Sequence, residues 1–582
     1  MKKPKDTRGA LRRVLAYLGP WRYVILGLAL LSLVSNLLNL WGPSLAGSAI
    51  REAAAGPGKV NFEKVRHDAG LMLLCYVSSS LLGFGISLIM TAVSRRMGRQ
   101  MRQDVFEKLT RLPVGYTDRH QAGDIISRVS YDIDVITTCM ATDIVQILTS
   151  VVTVTGSLVM MMTISLPLSA LTLVTVPVTI LYTVRMRKKT QPRYARRSRA
   201  YGAMNGFVEE MLSGQKTILA YAYEDRVEER FEGVNREAAE AFGDAEHYGV
   251  TIGPTMTAIN NLSLSLIGLL GGLLYLGGRI DLGRISSFVL YSRKFAGPIN
   301  AVAEIFNELF SALAAAERVF LFLDEAEEPA DPPGAEELRE VRGEVSAEHV
   351  AFGYEPGRMI LHDLNLKAEA GKLIAIVGPT GAGKTTIINL LMRFYDPDSG
   401  ILRVDGRDIA GLTRRSVRRA YAMVLQDTWV FQGTIYDNIA YGKENATMEE
   451  VVRAAKAARI HPFIMRLPKG YDTVITEDGG NISKGQKQLL TIARAMLYDA
   501  PMLILDEATS NVDTATEREI QKAMRELMKD RTCFVIAHRL STIEHADQIL
   551  VLRDGDVAEQ GTHRQLMDRK GFYYQLYAAQ FE

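Results

Sequence analysis

Nine consecutive residues in the second half of the chain have the types and spacing of a phosphate-binding loop. Residues 378–386 read GPTGAGKTT, which fits the pattern G-x-x-x-x-G-K-T. The uncharged residues 373–377 predict a buried strand before the loop and residues 387–391 predict a helix after it, so backbone N–H groups would face a phosphate at a helix N-terminus. A chance glycine turn is the alternative, but it would not need both flanking elements. The loop predicts binding of a nucleoside triphosphate.

Two side chains of this loop have distinct expected tasks. Lys384 would reach the outer phosphates, and the Thr385 hydroxyl is the natural ligand for Mg²⁺. The candidate nucleotide-binding residues of the loop are Gly378, Thr380, Gly381, Gly383, Lys384, Thr385 and Thr386.

A pair of carboxylates follows an apolar run later in the chain. Residues 502–505 are apolar and end in Asp506 and Glu507, which describes a buried strand whose tip presents Asp506 towards the magnesium and Glu507 towards an attacking water. Two surface acids after a core strand are the alternative. His538 closes a further apolar strand candidate, where it could contact a γ-phosphate, although a lone histidine is more often structural. These roles suit hydrolysis.

The elements that would position these residues belong to an α/β domain. From Gly343 onward, short apolar strand candidates alternate with helical patterns, as in α/β nucleotide domains. Residues 325–342 are acidic and proline-rich, which is typical of an exposed linker. The sequence therefore predicts a nucleotide-binding domain over residues 343–582, preceded by the linker.

Residues 1–324 carry the signal of a membrane domain. Uncharged runs cover residues 23–50, 69–94, 144–184 and 248–278, and a less apolar run covers residues 285–315. A helix needs about 20 residues to cross the hydrocarbon, so residues 144–184 fit two spans with a turn near Pro167. The prediction is an α-helical six-span transmembrane domain fused to an α/β nucleotide-binding domain.

Basic residues predict how this domain is oriented. They cluster in residues 1–13, 95–111 and 185–199, whereas the turn at residues 163–169 on the opposite side has no charge. The positive-inside tendency then places both termini and the nucleotide-binding domain in the cytoplasm of a multi-pass cell-membrane protein. Helical spacing in the two long inner loops indicates that the spans continue as helices beyond the membrane, with solvated connectors as the alternative. A net charge of +2 gives no case for nucleic-acid binding.

The sixth predicted span has a polar stripe. Arg293, Asn300 and Asn307 recur every seven residues, as do Gly297, Glu304 and Ser311. An intramembrane charge faces a wet cavity or another helix, because facing lipid is costly. A substrate cavity and a structural ion pair between helices both remain open.

The order of these motifs resembles that of ATP-binding cassette (ABC) proteins, and six spans ahead of the cassette resemble the half-transporters of the type IV, multidrug and lipid exporters. The resemblance rests on the phosphate loop, Gln426 after an apolar strand, residues 481–486 (NISKGQ), Asp506-Glu507 and His538. It implies that Tyr354 stacks on the adenine of ATP, that Thr385, Gln426 and Asp506 hold Mg²⁺, and that Glu507, Gln426 and His538 serve hydrolysis.

The same resemblance implies a second half-transporter as partner. Ser483, Gly485 and Gln486 would complete the partner's ATP site, although Ile482 and Lys484 depart from the usual signature Leu-Ser-Gly-Gly-Gln. Such departures resemble those of chains with a non-identical partner, so a heterodimer is favoured over a homodimer and both are kept. Residues 115–121 and 212–220 resemble the inner-loop regions whose coupling helices touch the cassettes.

The implied function is ATP-driven export of a hydrophobic or amphipathic substrate, a drug-like compound or a lipid, by alternating access. A peptide exporter and a cassette-gated regulatory membrane protein are the alternatives. A soluble cassette ATPase would share the nucleotide motifs but lack the six spans.

Overall fold

The chain forms two compact units. The computed structural model describes residues 6–56, 58–426, 428–476, 480–506, 513–537 and 543–581, without the side chains of residues 299–304, 306, 307, 580 and 581. One unit combines residues 1–110 with 122–325, and the other combines residues 111–121 with 326–582. A short segment from between two long helices therefore belongs to the unit that contains the phosphate loop.

The first unit is built of long helices. The helices up to residue 323 are α1 (Thr7–Leu18), α2 (Arg22–Ala53), α3 (Phe62–Arg111), α4 (Val114–Arg119), α5 (Ala122–Ser127), α6 (Ile133–Ile164), α7 (Leu166–Ser213), α8 (Gln215–Ala220), α9 (Glu224–Leu276) and α10 (Leu282–Leu323). Of these, α4 lies in the second unit. The predicted spans correspond to α2, α3, α6, α7, α9 and α10, and the run at residues 248–278 extends two residues beyond the end of α9.

Among the described residues, five helical stretches are long and apolar enough to cross a membrane. They are Thr7–Ala53, Phe62–Arg111, Ala122–Ile164, Leu166–Ser213 and Glu224–Leu276. The sixth predicted span corresponds to α10, which has 42 residues but carries charged and undescribed side chains along its length, so the count of six stays a prediction. Helices α3, α7 and α9 have 50, 48 and 53 residues, more than twice the roughly 20 needed to cross hydrocarbon. The predicted helical extensions beyond the spans are confirmed.

Helices α2 and α10 are joined by hydrogen bonds between side chains and backbone. Pro43 lies inside α2 and has no N–H, so the carbonyl of Asn39 loses its partner within the helix. The Lys294 ammonium of α10 donates to that carbonyl at 2.7 Å and also to the Asn39 side chain. Tyr291 Oη donates to the Leu40 carbonyl at 2.7 Å. The half-buried ammonium of Lys294 thus satisfies the backbone acceptor that the proline leaves open.

The second unit contains a ten-stranded mixed sheet. Its strands are β1 (Val345–Phe352), β2 (Leu361–Ala368), β3 (Leu373–Val377), β4 (Ser399–Val404), β5 (Arg407–Asp408), β6 (Tyr421–Val424), β9 (Met502–Asp506), β10 (Thr532–Ile536), β11 (Gln548–Arg553) and β12 (Asp556–Gly561), while β7 (Gly433–Thr434) and β8 (Val474–Ile475) pair separately. The order is β5-β4-β1-β2-β12-β11-β3-β10-β9-β6. Strands β11, β3, β10, β9 and β6 run parallel to one another.

Helices cover the parallel half of this sheet because its strands are apolar on both faces. The helices described in this unit after β1 are α11 (Lys384–Leu391), α12 (Arg414–Arg419), α13 (Ile435–Ala440), α14 (Met448–Ala457), α15 (His461–Ile464), α16 (Lys484–Tyr498), α17 (Thr514–Met528), α18 (His563–Arg569) and α19 (Phe572–Phe581). Two buried clusters lie on the opposite sides of β3, β9 and β10, one with Ile492 and one with Ile388. The strands predicted at 373–377 and 502–505 are confirmed, as is the apolar strand predicted before His538, which is β10.

The segment predicted as an exposed linker is bonded to the second unit. The Arg418 guanidinium pairs with Glu328, and the backbone N–H of Arg414 donates to Asp331 at 2.9 Å. The Glu336 N–H donates to the Gly411 carbonyl at 3.1 Å. Acidic residues of the segment therefore accept hydrogen bonds from α12, from the Arg418 guanidinium and the Arg414 backbone.

Candidate nucleotide-binding site

The phosphate loop connects β3 to α11 in a conformation that needs glycine. Gly381 and Gly383 have φ of 85° and 99°, in the left-handed region that a side chain disfavours. A Cβ on Gly383 would lie 2.8 Å from Leu361 Cδ2, and one on Gly378 would lie 2.5 Å from the Leu552 carbonyl oxygen. The backbone therefore turns tightly and leaves its N–H groups at the start of α11, where an anion is stabilised.

Lys384 already uses the acceptors of the loop. Its Nζ donates to the carbonyls of Gly378 and Pro379 at 2.8 and 2.9 Å. Burial lowers the pKa of Lys384, and the nearby Asp506 carboxylate opposes that effect. Phosphate oxygens would take over these hydrogen bonds and favour the charged form, so the loop fits a polyphosphate.

The register of the parallel strands brings three predicted site positions to one edge of the sheet. Ile376 pairs with Ile536, Ile536 pairs with Asp506, and Leu505 pairs with Val424. Asp506 thus ends β9 beside the phosphate loop, and the exposed Gln426 follows two residues after β6.

Their oxygens, with the Thr385 hydroxyl, are the hard donors that Mg²⁺ prefers. The residues present fit the ion. Glu507 and His538 lie outside the described residues.

Tyr354 follows β1 and faces the start of α11. Its hydroxyl lies 3.3 Å from Thr386 Oγ1 and accepts from Asn389 Nδ2 at 3.0 Å. The ring packs at right angles against Phe352 and Tyr395, with centroid distances of 5.0 and 5.1 Å. It remains 40% exposed, which suits a platform for stacking a base.

The signature residues form the first turn of α16. Ser483 is the N-cap, and its hydroxyl accepts from the Gln486 N–H at 3.3 Å while Gln486 Oε1 accepts from the Ser483 N–H at 2.8 Å. This reciprocal capping box fixes two side chains expected at the partner's ATP, and Gly485 behind them is buried. The spacing Ser-x-x-Gln of Ser483 and Gln486 is by itself a sequence signal for a capping box at the start of a helix. Lys484 occupies the first helical position.

The first predicted coupling region belongs to the nucleotide-binding unit. Helix α4 buries Tyr116, and Tyr395 Oη donates to Asp118 Oδ2 at 2.7 Å. Burial, followed by this hydrogen bond, raises the pKa of Tyr395. The sequence analysis did not predict a role for Tyr395, because its neighbouring residues do not indicate a contact with Asp118, which is 277 positions away. The second region, around α8, lies in the first unit and buries none of its side chains.

The polar stripe of α10 is described in part. Arg293 and Gly297 line a cavity in the first unit together with residues of α7 and α9. The side chains of Asn300, Glu304 and Asn307 lie outside the described residues.

Comparison with known proteins assigns both units. A family described as "ABC transporter transmembrane region" matches residues 25–299, and one described as "ABC transporter" matches residues 361–510. Over 580 residues, the whole chain is 42% identical to the "Uncharacterized ABC transporter ATP-binding protein YfiC" of Bacillus subtilis and covers 96% of it. The chain belongs to the ABC transporter family.

Further relatives of this ABC transporter place it among exporters. The "Fatty acid ABC transporter ATP-binding/permease protein" of Mycobacterium tuberculosis is 44% identical over 521 residues, covering 89% of this chain and 82% of the relative. A solved "bacterial Atm1-family ABC exporter with ATP bound" superposes with a TM-score of 0.78 at 32% identity, over 96% of this chain and 99% of that one. The chain is a multi-pass membrane protein and an ABC exporter of the lipid and multidrug type, which couples ATP hydrolysis to transport.

Proposed function

We propose that the chain exports a hydrophobic or amphipathic substrate, a drug-like compound or a lipid, by alternating access as one half of a dimer. The observation that carries the proposal is the position of α4. This helix lies in sequence between the long helices α3 and α6, yet it packs within the unit that contains the phosphate loop. When the nucleotide-binding unit moves, α4 moves with it and displaces the segment that connects α3 to α6.

Each residue of the nucleotide site has a proposed role. The loop N–H groups and Lys384 bind the phosphates, and Tyr354 stacks on the adenine. Thr385, Gln426 and Asp506 hold Mg²⁺, which when bound neutralises charge on the β- and γ-phosphates. Glu507 positions and deprotonates the attacking water. His538 contacts the γ-phosphate, which keeps that group oriented for in-line attack.

The proposed dimer seals each ATP between the phosphate loop of one chain and α16 of the other. Ser483, Gly485 and Gln486 contribute this second half, and the capping box holds the Ser483 and Gln486 side chains at the N-terminus of α16, where phosphate is favoured. Lys484 departs from the usual glycine, so a non-identical partner is favoured over a second copy. ATP binding closes the cassettes, and hydrolysis with product release resets the spans.

The proposed arrangement puts both termini and the nucleotide-binding unit on the cytoplasmic side, with residues 1–324 as the membrane domain. The printed name of the mycobacterial relative supports an amphipathic lipid-like substrate, because that protein is called a fatty acid transporter.

The role of Glu507 is tested by replacing it with glutamine. Glu507→Gln keeps the side-chain shape but removes the base, so ATP binding should persist while turnover falls by about 10²-fold or more. The control is Glu526→Gln, which changes an exposed acid of α17 in the same unit and should leave turnover unchanged. Near-normal ATPase activity of Glu507→Gln would refute the assignment.

Export itself is tested in proteoliposomes loaded with ATP on the cassette side. A fluorescent amphiphile should cross the bilayer in wild-type vesicles and not in Glu507→Gln vesicles. Equal movement in both preparations would show that transport does not depend on hydrolysis and would contradict the proposal.

A further inference from the structure

A cavity with both polar and apolar side chains in its wall lies between three helices of the membrane unit. It has a volume of about 190 Å³ and lies between α7, α9 and α10. This is room for roughly six waters at about 30 Å³ each, which is enough for one small charged headgroup. Its lining residues are Thr172, Thr175, Val176, Thr179, Asn260, Ser263, Leu264, Ser292, Arg293, Phe295, Ala296 and Gly297.

The cavity lies deep in the spans. Arg293 comes 11 residues after the start of α10, and Ser263 comes 13 residues before the end of α9. At 1.5 Å per residue, these positions are about 16 and 20 Å from the helix ends. The hydrocarbon is about 30 Å thick, so the cavity is near its middle.

Two kinds of hydrogen-bond donor line the cavity. The threonines of α7 donate back to their own helix: Thr172 to the Leu168 carbonyl at 3.1 Å and Thr179 to the Thr175 carbonyl at 3.0 Å. Among the described residues, Asn260, Ser263, Ser292 and Arg293 donate no hydrogen bond to protein. Ser263 and Ser292 are only 6% exposed. Four donors therefore converge on the cavity without a protein acceptor.

The charged side chain that lines the cavity among the described residues is positive. Arg293 contributes a guanidinium, and no Asp or Glu lines the cavity within the part of the chain that the structure describes. The neighbouring Lys294 is engaged elsewhere, because it donates to Asn39 on α2. A guanidinium that faces no carboxylate among the described side chains attracts an anion, and its planar fork matches a carboxylate or phosphate.

We propose that this cavity binds the anionic headgroup, a carboxylate or a phosphate, of a single-chain amphiphile, with Arg293 as the charged contact and Asn260, Ser263 and Ser292 as further donors. The inference rests on the proposed export function and narrows its substrate class to anionic amphiphiles. The apolar chain follows the lipid-facing sides of the helices, whereas a neutral or cationic headgroup leaves the guanidinium without a partner.

The test measures binding to the purified, full-length transporter in nanodiscs without ATP. The probes share a twelve-carbon chain: laurate, dodecyl phosphate, dodecanol and dodecylamine. Laurate, dodecyl phosphate or both should bind about tenfold or more tightly than the neutral and cationic probes, because a charge-assisted hydrogen bond is lost in those. Which of the two anions binds identifies the headgroup.

Three variants localise the binding. Arg293→Gln should remove the preference for the anions, Arg293→Lys should restore part of it, and Ser263→Ala should weaken anion binding without changing the charge. Arg279→Gln, an exposed arginine between α9 and α10, is the matched control and should bind as the wild type does. Elution as a single species from gel filtration checks the fold of each variant.

The inference is overturned if Arg293→Gln binds laurate and dodecyl phosphate as tightly as the wild type, or if dodecylamine binds as tightly as they do. Export of a cationic or neutral amphiphile, together with absent anion binding, overturns this inference and leaves the proposed function standing. Anion binding that depends on Arg293 in a protein that transports no amphiphile supports the site and overturns the proposed export.

Discussion

At the scale of single residues, Tyr354 combines an exposed ring with an anchored hydroxyl. The hydroxyl contacts Thr386 and Asn389 on α11, and the ring packs on Tyr395. The hydroxyl contacts orient the Tyr354 ring relative to the phosphate loop. Helix α11 would therefore position both the ring that stacks on the adenine and the loop that binds the phosphates. Stacking and anchoring are separable by mutation.

Tyr354→Ala should weaken ATP binding by about 1–3 kcal/mol, because a base loses its aromatic platform. Tyr354→Phe is the matched control, since it keeps the ring and removes only the hydroxyl, and should bind ATP within a few-fold of the wild type. Calorimetric titration with a non-hydrolysable ATP analogue measures both. Equal affinities for the alanine and phenylalanine variants would exclude stacking on this ring.

At the scale of elements, the N-terminus of α16 has the same construction as three other helices of the unit. Capping boxes also begin α13, α14 and α18, at Thr434, Thr447 and Thr562. Only α16 carries the signature residues. A structural role and a proposed ATP contact therefore coincide at Ser483, and the other caps provide the comparison.

Ser483→Ala and Thr447→Ala should each destabilise the unit by about 1 kcal/mol through loss of the cap, seen as a shift of about 2–4 °C in thermal unfolding. Only Ser483→Ala should also reduce ATPase activity strongly, because only Ser483 is proposed to contact the partner's nucleotide. If the two variants lose activity equally, Ser483 acts through stability alone.

Tyr395 is the side chain through which α4 is held. Tyr395→Phe should keep the ring contact with Tyr354 and lose the hydrogen bond to Asp118, worth about 0.5–1.5 kcal/mol. The expected result is weaker stimulation of ATPase by a transported amphiphile with basal turnover within about twofold, since the coupling contact rather than the nucleotide site is changed.

Tyr498→Phe is the control for that experiment, because it removes a hydroxyl that donates to the Arg419 carbonyl at 3.2 Å, away from α4. Undiminished stimulation in Tyr395→Phe would show that this hydrogen bond does not contribute to coupling.

The sequence predicted these elements well where one local pattern decides them. Uncharged runs located the long helices, and the phosphate loop located the β3–α11 turn, because both depend on neighbouring residues. It predicted an exposed linker over residues 325–342, and most residues there are exposed. It did not predict that Asp331 and Glu328 of this segment bond to Arg414 and Arg418. Contacts such as Tyr395 with Asp118 depend on folding of distant segments, which periodicity does not encode.

At the scale of the whole molecule, each chain of the proposed dimer supplies only half of each ATP site. Lys384 and Ser483 then serve different nucleotides. This separation allows the identity of the partner to be tested with two inactive variants of the same chain.

Lys384→Ala and Ser483→Ala chains should each be nearly inactive when purified alone. If two copies of this chain pair, mixing the variants regenerates one site with both residues intact, and ATPase activity returns. Under the favoured heterodimer, activity should not return, because both variants lack the non-identical partner. Recovery on mixing, measured as ATP hydrolysis in the reconstituted sample, would establish the homodimer instead.

The bond from Lys294 to the Asn39 carbonyl has a consequence for movement. Separation of α10 from α2 would leave the Lys294 ammonium and the Asn39 carbonyl without a hydrogen-bond partner in the hydrocarbon, where water is absent. We therefore expect α2 and α10 to move together as one rigid body during the transport cycle. The opening through which the substrate enters or leaves should then form between other helices of the membrane unit.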